Sequence, residues 1–142
     1  MKALHLTTAV ILTLLICFMA GCGTRTVPPG ERFVVSVINE TGADVYAIRL
    51  AYALGSKMLG SVEGCHADNS PIKPGDSMSF EFLREDFPEN ADLSQLSLQL
   101  QAFDPHHNAS TPKIPITVAA VYGGSYEIRL SGSHAQQVLQ GG

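Results

Sequence analysis

The chain has no tryptophan, only three cysteines, few aromatic residues (7%) and no cluster of lysine or arginine. Each shortage closes off a class. Without tryptophan the Cys-Trp-Cys signature of antibody domains is absent. Nine Lys and Arg against 13 Asp and Glu give a formal net charge of −4. A mildly acidic chain without a basic patch is unsuited to nucleic acid, whose phosphates require clustered cations. It also offers nothing to hold an anionic lipid surface. No H-x-x-E-H, G-x-S-x-G, C-x-x-C or glycine-rich phosphate loop occurs, so the common catalytic signatures are missing. The longest apolar run, Ala9 to Ala20, has 12 residues, too short for a membrane span, which needs roughly 20.

That run is nevertheless the first thing to explain. It follows a short segment bearing Lys2 and is apolar all round. A core helix would be amphipathic, whereas the hydrophobic centre of an export signal has this length and flank. The run ends in Met19-Ala20-Gly21-Cys22, which resembles the lipobox of bacterial lipoproteins: an aliphatic residue, two small residues and a cysteine, with Met19 in place of the usual Leu. The resemblance implies cleavage before Cys22 and a diacylglyceryl thioether on its sulfur. With each buried CH₂ worth about 0.8 kcal/mol, two or three acyl chains hold a protein on a bilayer where one is marginal. Gly23 stands where an Asp would favour retention at the inner membrane. The resemblance therefore implies the outer membrane in a diderm host and the cell surface in a monoderm.

On this reading residues 1–21 are a signal peptide and 22–30 a lipid-anchored linker rich in proline and glycine (GTRTVPPG). Loss of Lys2 takes the charge from −4 to −5. The remaining chain is one domain's worth. Cys17 leaves with the signal and Cys22 is taken by lipid, so Cys65 has no partner for a disulfide. Packing must hold the domain together.

From Glu31 onward apolar residues recur at every second position, the period of strands. RFVVSVIN is followed by NETGAD and then DVYAIRLAYAL, where Tyr46, Ile48, Leu50, Tyr52 and Leu54 share a face. KMLGSV is a shorter candidate. DSMSFEFL points Met78, Phe80 and Phe82 one way, SQLSLQLQAF does the same with Leu96, Leu98, Leu100 and Ala102, and SYEIRLSG with Tyr126, Ile128 and Leu130. IPITVAAVY carries Pro115 near its start, which suits an edge strand. REDFPENADL reads as a connection with room for one helical turn. About seven strands with no convincing helix predict an all-β fold, an immunoglobulin-like antiparallel β-sandwich over 31–132 with a flexible tail at 133–142. A small β-barrel is the alternative. INETGADVYAIRLA followed by IKPGDSMSFEF also resembles small secreted or lipid-anchored bacterial β-domains in which an N-x-T-G turn joins the first two strands.

Few residues suggest chemistry. His106 and His107 beside Asp104, with His66 in another loop, are metal-type ligands; adjacent histidines on an extended loop point apart, and a solvated turn built on Asp and Asn side chains is the plainer reading. Cys65-His66 has the composition of a thiolate and its base but the wrong geometry for one. Glu85, Asp86 and Glu89 form an acidic loop around Phe87, an aromatic that either contacts a partner or caps the core. Asn39-Glu40-Thr41 and Asn108-Ala109-Ser110 match the glycosylation pattern, which carries no meaning in a bacterium. No cofactor is expected. The sequence predicts a non-enzymatic, extracytoplasmic binding module with a protein or glycan partner in the envelope, contacts drawn from loops 63–75, 84–93 and 104–113, and Phe87, His106 and His107 as contact candidates. Metal binding through the histidines, or a small hydrolase, are the alternatives.

Overall fold

A computed structural model describes residues 26–138; the proposed signal peptide, Cys22 and the last four residues lie outside them. Among the described residues eight strands form: β1 (Arg32–Asn39), β2 (Ala47–Leu54), β3 (Lys57–Gly64), β4 (Ser77–Leu83), β5 (Leu96–Phe103), β6 (Ile114–Val118), β7 (Ser125–Ser131) and β8 (His134–Val138). They build two four-stranded sheets, ordered β4-β1-β7-β8 and β3-β2-β5-β6. The β-sandwich expected from the sequence is present, and neither sheet closes into a barrel.

Alternation explains the layers. Along β1 every second residue is buried, so Phe33, Val35 and Val37 face inward while Arg32, Val34 and Ser36 face outward. Leu96, Leu98, Leu100 and Ala102 of β5 are fully buried, as are Ile48 and Leu50 of β2 and Ile128 and Leu130 of β7. Tyr46 departs from the face assigned to it. The strand begins only at Ala47, and Val45 turns inward to bridge Ile72.

Two features of pairing differ from expectation. β1 and β7 run parallel, whereas every other pair is antiparallel. The chain crosses between sheets after β6 and returns through 119–124, which leaves β7 pointing the same way as β1. The segment expected as a tail, 133–142, instead supplies an eighth strand at its start, with Leu130 opposite Ala135 in the β7–β8 ladder. An edge strand needs backbone hydrogen bonds and little apolar pattern, so SHAQQV carried almost no signal of it. The 84–95 connection contains two single 3₁₀ turns, Arg84–Asp86 and Leu93–Gln95.

Opposite Tyr52 the β2–β3 ladder slips by one residue: Tyr52 pairs with Gly60 and Ala53 with Met58, leaving Leu59 as a bulge. A Cβ on Gly60 would lie 2.7 Å from the Tyr52 hydroxyl oxygen. That ring cannot swing aside, because it packs edge-on to Phe82 at 5.3 Å and against Phe87 at 5.6 Å. Gly60→Ala is therefore expected to cost about 1–3 kcal/mol through overpacking, with partial relief in a Tyr52→Phe background. Equilibrium urea unfolding measures both, and an unchanged midpoint for Gly60→Ala would mean the ring has room to move.

A groove at one end and a stacked cluster at the other

Strand register assigns each loop to an end of the sandwich. Arg32 opens β1 opposite Leu83, the last residue of β4. In the other sheet Leu54 at the end of β2 faces Leu96 at the start of β5, which faces Val118 at the end of β6. Tyr52–Phe87 packing and the bond from the Ala120 N–H to the Leu93 carbonyl join these levels. One end thus gathers Thr26–Glu31, the 84–95 connection and 119–124. The opposite end gathers 40–46, 65–76, 104–113 and the β7–β8 turn. Loops 63–75 and 104–113 share an end as a contact surface requires, while loop 84–93 lies at the other.

At the end that gathers Thr26–Glu31 a groove of about 680 Å³ runs between the first described residues and the 84–91 segment. Local chemistry shapes it. The Asp86 carboxylate accepts from the Leu83 N–H at 2.7 Å, closing the first 3₁₀ turn. The Phe87 N–H then bonds the Arg84 carbonyl, which turns the Phe87 ring inward. Phe87 is buried, packed on Phe33, Tyr52 and Phe82 with centroids 5.6–6.2 Å away. It caps this end of the core and also lines the groove. Arg84 holds the groove's flank: its guanidinium sits 4.2 Å over the Tyr122 ring, its Nε donates to Glu31 at 3.3 Å and its Nη2 to the Gly30 carbonyl at 3.4 Å. Burial pushes the Tyr122 hydroxyl above the ordinary tyrosine value, with the Arg84 cation opposing and Asp86 and Glu31 reinforcing the shift.

The opposite end carries a different arrangement. Asp104 Oδ1 accepts from the His106 and Asn108 N–H groups at 2.9 and 2.8 Å, and Oδ2 from the Asn108 side chain at 3.1 Å. The bonds from Asn108 hold the Asp104 carboxyl below the usual carboxylate range, with His106 adding to the effect. This is the side-chain-built turn expected there. It places His107 at φ +61°, with its ring stacked on Phe103 at 4.6 Å. Arg49 also lies over Phe103, at 4.7 Å, and its Nη2 is 3.2 Å from His107 Nε2. Glu63 Oε2 accepts from Arg49 at 2.8 Å. Phe103 faces outward, as the alternation of β5 requires, yet is only 5% exposed because these side chains cover it.

The structure does not bring the histidines together. His66 Nδ1 contacts Ser70 within its own turn, at 3.0 Å to the hydroxyl; His106 is exposed; His107 belongs to the stack on Phe103. Among the described residues no three His, Cys, Asp or Glu side chains converge as a metal site would require. Cys65 is an exposed free thiol, and the His66 bonds run to Ser70. The acidic loop is likewise spoken for in part, since Asp86 is a turn cap. Sequence reasoning missed Arg84, Tyr122 and Glu31 at the groove and Arg49 at the far end. Tyr122 did carry a signal: an aromatic immediately before Gly123-Gly124, past the last alternating position of its run.

No family model and no curated protein matches the chain. Among solved structures it is similar to the T6SS lipoprotein TssJ1 from Pseudomonas aeruginosa, at 16% identity and TM-score 0.44 over 81% of this chain and 99% of that one. It is also similar to Serratia marcescens Lip, a membrane bound component of the Type VI Secretion System, at 10% identity and TM-score 0.43 over 78% and 99%. A protein from Eubacterium rectale gives 13% identity and TM-score 0.42 over 82% and 96%. Likenesses at this level carry no conclusion about what this chain does.

Proposed function

We propose that the chain is a bacterial lipoprotein anchored through Cys22, whose β-sandwich serves as a non-enzymatic interaction module on the outer face of a membrane. The observation that carries this reading is the position of the lipobox-like cysteine relative to the fold. Thr26, which lines the groove at one end of the sandwich, is four residue steps along the chain from Cys22. Fully extended, four residues reach about 14 Å. The lipid therefore holds the groove end close to the bilayer and turns loops 65–76 and 104–113 outward. Among the described residues no helix is long and apolar enough to cross a membrane. The non-enzymatic part rests on side chains already engaged in structure: Asp86 and Asp104 close turns, His107 stacks, and His66 is bonded to Ser70.

Cys22→Ser tests the anchor. The wild-type chain is expected in the membrane fraction as a processed product, and the variant as soluble protein or uncleaved precursor. Intact membrane association with normal processing in the variant rejects the reading.

A further inference from the structure

We propose that the free edge of β4 takes up an extended segment of a protein partner as an added antiparallel strand, with small polar side chains on its outer side and apolar ones on its inner side. This rests on the interaction-module reading and names how the partner is held. β4 and β8 end one sheet, β3 and β6 the other, and each carries backbone groups that its one neighbour does not use. Register tells which. The Val34 N–H bonds the Gly124 carbonyl on the β7 side and the Asn39 N–H the Asp76 carbonyl on the β4 side, so the odd-numbered residues of β1 face β4. Val37 lies opposite Met78, Val35 opposite Phe80 and Phe33 opposite Phe82, and these pairs exchange the ladder bonds. Ser77, Ser79 and Glu81 therefore turn their N–H and C=O groups to the open side.

The other three edges are blunted. In β5 the Phe103 carbonyl accepts from Tyr46 on the β2 side and the Ala102 carbonyl from Ser110 on the other, so Leu98 bonds Ile116 and β6 presents Pro115 and Thr117; proline has no N–H to offer. The Leu130 carbonyl accepts from Glu40 on the β1 side, which leaves the five-residue β8 presenting only Ala135 and Gln137. β3 is bent by the Leu59 bulge. β4 has neither proline, lysine nor bulge along its seven residues. The outward Leu83 N–H is closed by the Asp86 carboxylate at 2.7 Å, which marks where an added strand stops.

A row of alternating donors and acceptors is matched by another extended backbone, and the pleat sets that strand's side chains. Residues bonded to Ser77, Ser79 and Glu81 stand on the outer face, beside two exposed hydroxyls and a glutamate already paired with Arg32, so small uncharged polar groups suit them. The residues between point to the seam of the two sheets, where a Cβ on Gly64 of β3 would lie 2.8 Å from Met78 Cγ. Met78 and Val62 are only partly buried there, and apolar side chains complete their burial. A second copy fits less well. Antiparallel pairing of two β4 strands about a twofold axis sends their Thr26–Glu31 ends in opposite directions, whereas lipid on both Cys22 sulfurs draws those ends to one bilayer.

The test uses the full chain in detergent micelles, which hold it whether or not Cys22 is acylated, so the anchor and the edge fail separately. The probe is a fluorescein-labelled peptide, Lys-Thr-Val-Thr-Val-Thr-Lys, and anisotropy is read against empty micelles. Binding is expected, with hydrogen exchange at the Ser79 and Glu81 amides slowed by the peptide. N-methylation of the threonines removes the N–H groups aimed at β4 and should weaken binding at least about tenfold, or about 1.4 kcal/mol, against less than about twofold for N-methylation of the valines, whose N–H groups point to water. Ser79→Pro deletes an outward N–H and leaves the β1 ladder intact; it should abolish binding with the unfolding midpoint held, and if that variant does not fold the two methylated peptides decide. No binding above empty micelles, equal loss with either methylation, loss confined to the valine-methylated peptide, or binding that survives in folded Ser79→Pro overturns the proposal. So does self-association abolished by Ser79→Pro, which assigns the edge to a second copy.

Discussion

Phe33→Ala is expected to lower the unfolding free energy by about 3–5 kcal/mol, the range for removing a fully buried ring, against a usual total of about 5–15 kcal/mol. Phe33 is 0% exposed and sits at the hub of the aromatic end of the core. It stacks on Phe82 at 5.1 Å with ring planes 11° apart, and meets Phe87 at 5.7 Å. Tyr122 and Tyr126 lie at 6.1 Å, Tyr126 edge-on at 83°. Such pairs add about 0.5–1.5 kcal/mol beyond the area they bury, so the loss belongs at the high end. Phe33→Leu keeps most of the volume and separates the two contributions: it should lose the ring pairing and little of the burial. Urea unfolding gives both values. A cost below about 1 kcal/mol for Phe33→Ala would show that the site collapses around the gap and that the aromatic cluster is not the anchor of this end. The same substitution should also loosen the groove, because Phe87 and Tyr122 rest on this ring.

The alternation that identifies Phe33 as inward-facing also identifies most of the core. A strand's period is two, so each run announces its buried face without reference to its neighbours. The same period says nothing about which strand lies beside which. Nothing in VVSVIN or YEIRL distinguishes a parallel β1–β7 pair from an antiparallel one, because backbone hydrogen bonds are blind to side chains. The strand β8 was hidden for a related reason: its ladder to β7 asks for little apolar burial beyond Ala135, which packs against the core.

The candidate site was legible only in part. Loop 84–93 was visible as an acidic segment around an aromatic, but the groove exists because Glu31, Arg84 and Tyr122 meet from three separate segments. Phe87 shows the limit well. Its charged neighbours left open an exposed contact or a core cap, and it is the Asp86 cap and the bond from its own N–H to Arg84 that turn it into the core. Likewise Arg49 and His107 are far apart in sequence, and only the pairing of β2 with β5 and the Asp104 turn bring the imidazole and the guanidinium onto Phe103. Side-chain identity carried the turn chemistry; the meeting of distant segments required the topology.

Asn39→Leu is expected to cost about 3 kcal/mol or more, at a residue that the sequence marks only as the start of an N-x-T-G turn and of a glycosylation-type tripeptide. Asn39 is fully buried at the end of β1. Its Nδ2 donates to the Ala43 carbonyl at 2.9 Å and the Ile72 carbonyl at 2.8 Å, and its Oδ1 accepts from the Thr41 N–H at 3.0 Å and hydroxyl at 2.7 Å. One side chain thus fixes the N-x-T-G turn between the sheets and ties it to the 65–76 loop. Leucine fills the volume but strands these groups, at about 1–3 kcal/mol for each buried one left unpaired. Asn39→Asp is the sharper variant. Shape is retained, yet a carboxylate oxygen now faces two carbonyls in a buried site, which raises its folded-state pKa above the ordinary value of about 3.9. A raised pKa means that stability is retained below the unfolded value and lost as pH climbs through the folded one. Asn39→Asp should therefore be least destabilised in acid, with its deficit growing from about pH 4 upward, while the deficit of Asn39→Leu stays flat. Urea midpoints measured across that range decide it. Parallel pH profiles for the two variants would mean that water reaches the site and that the four bonds do not hold the turn.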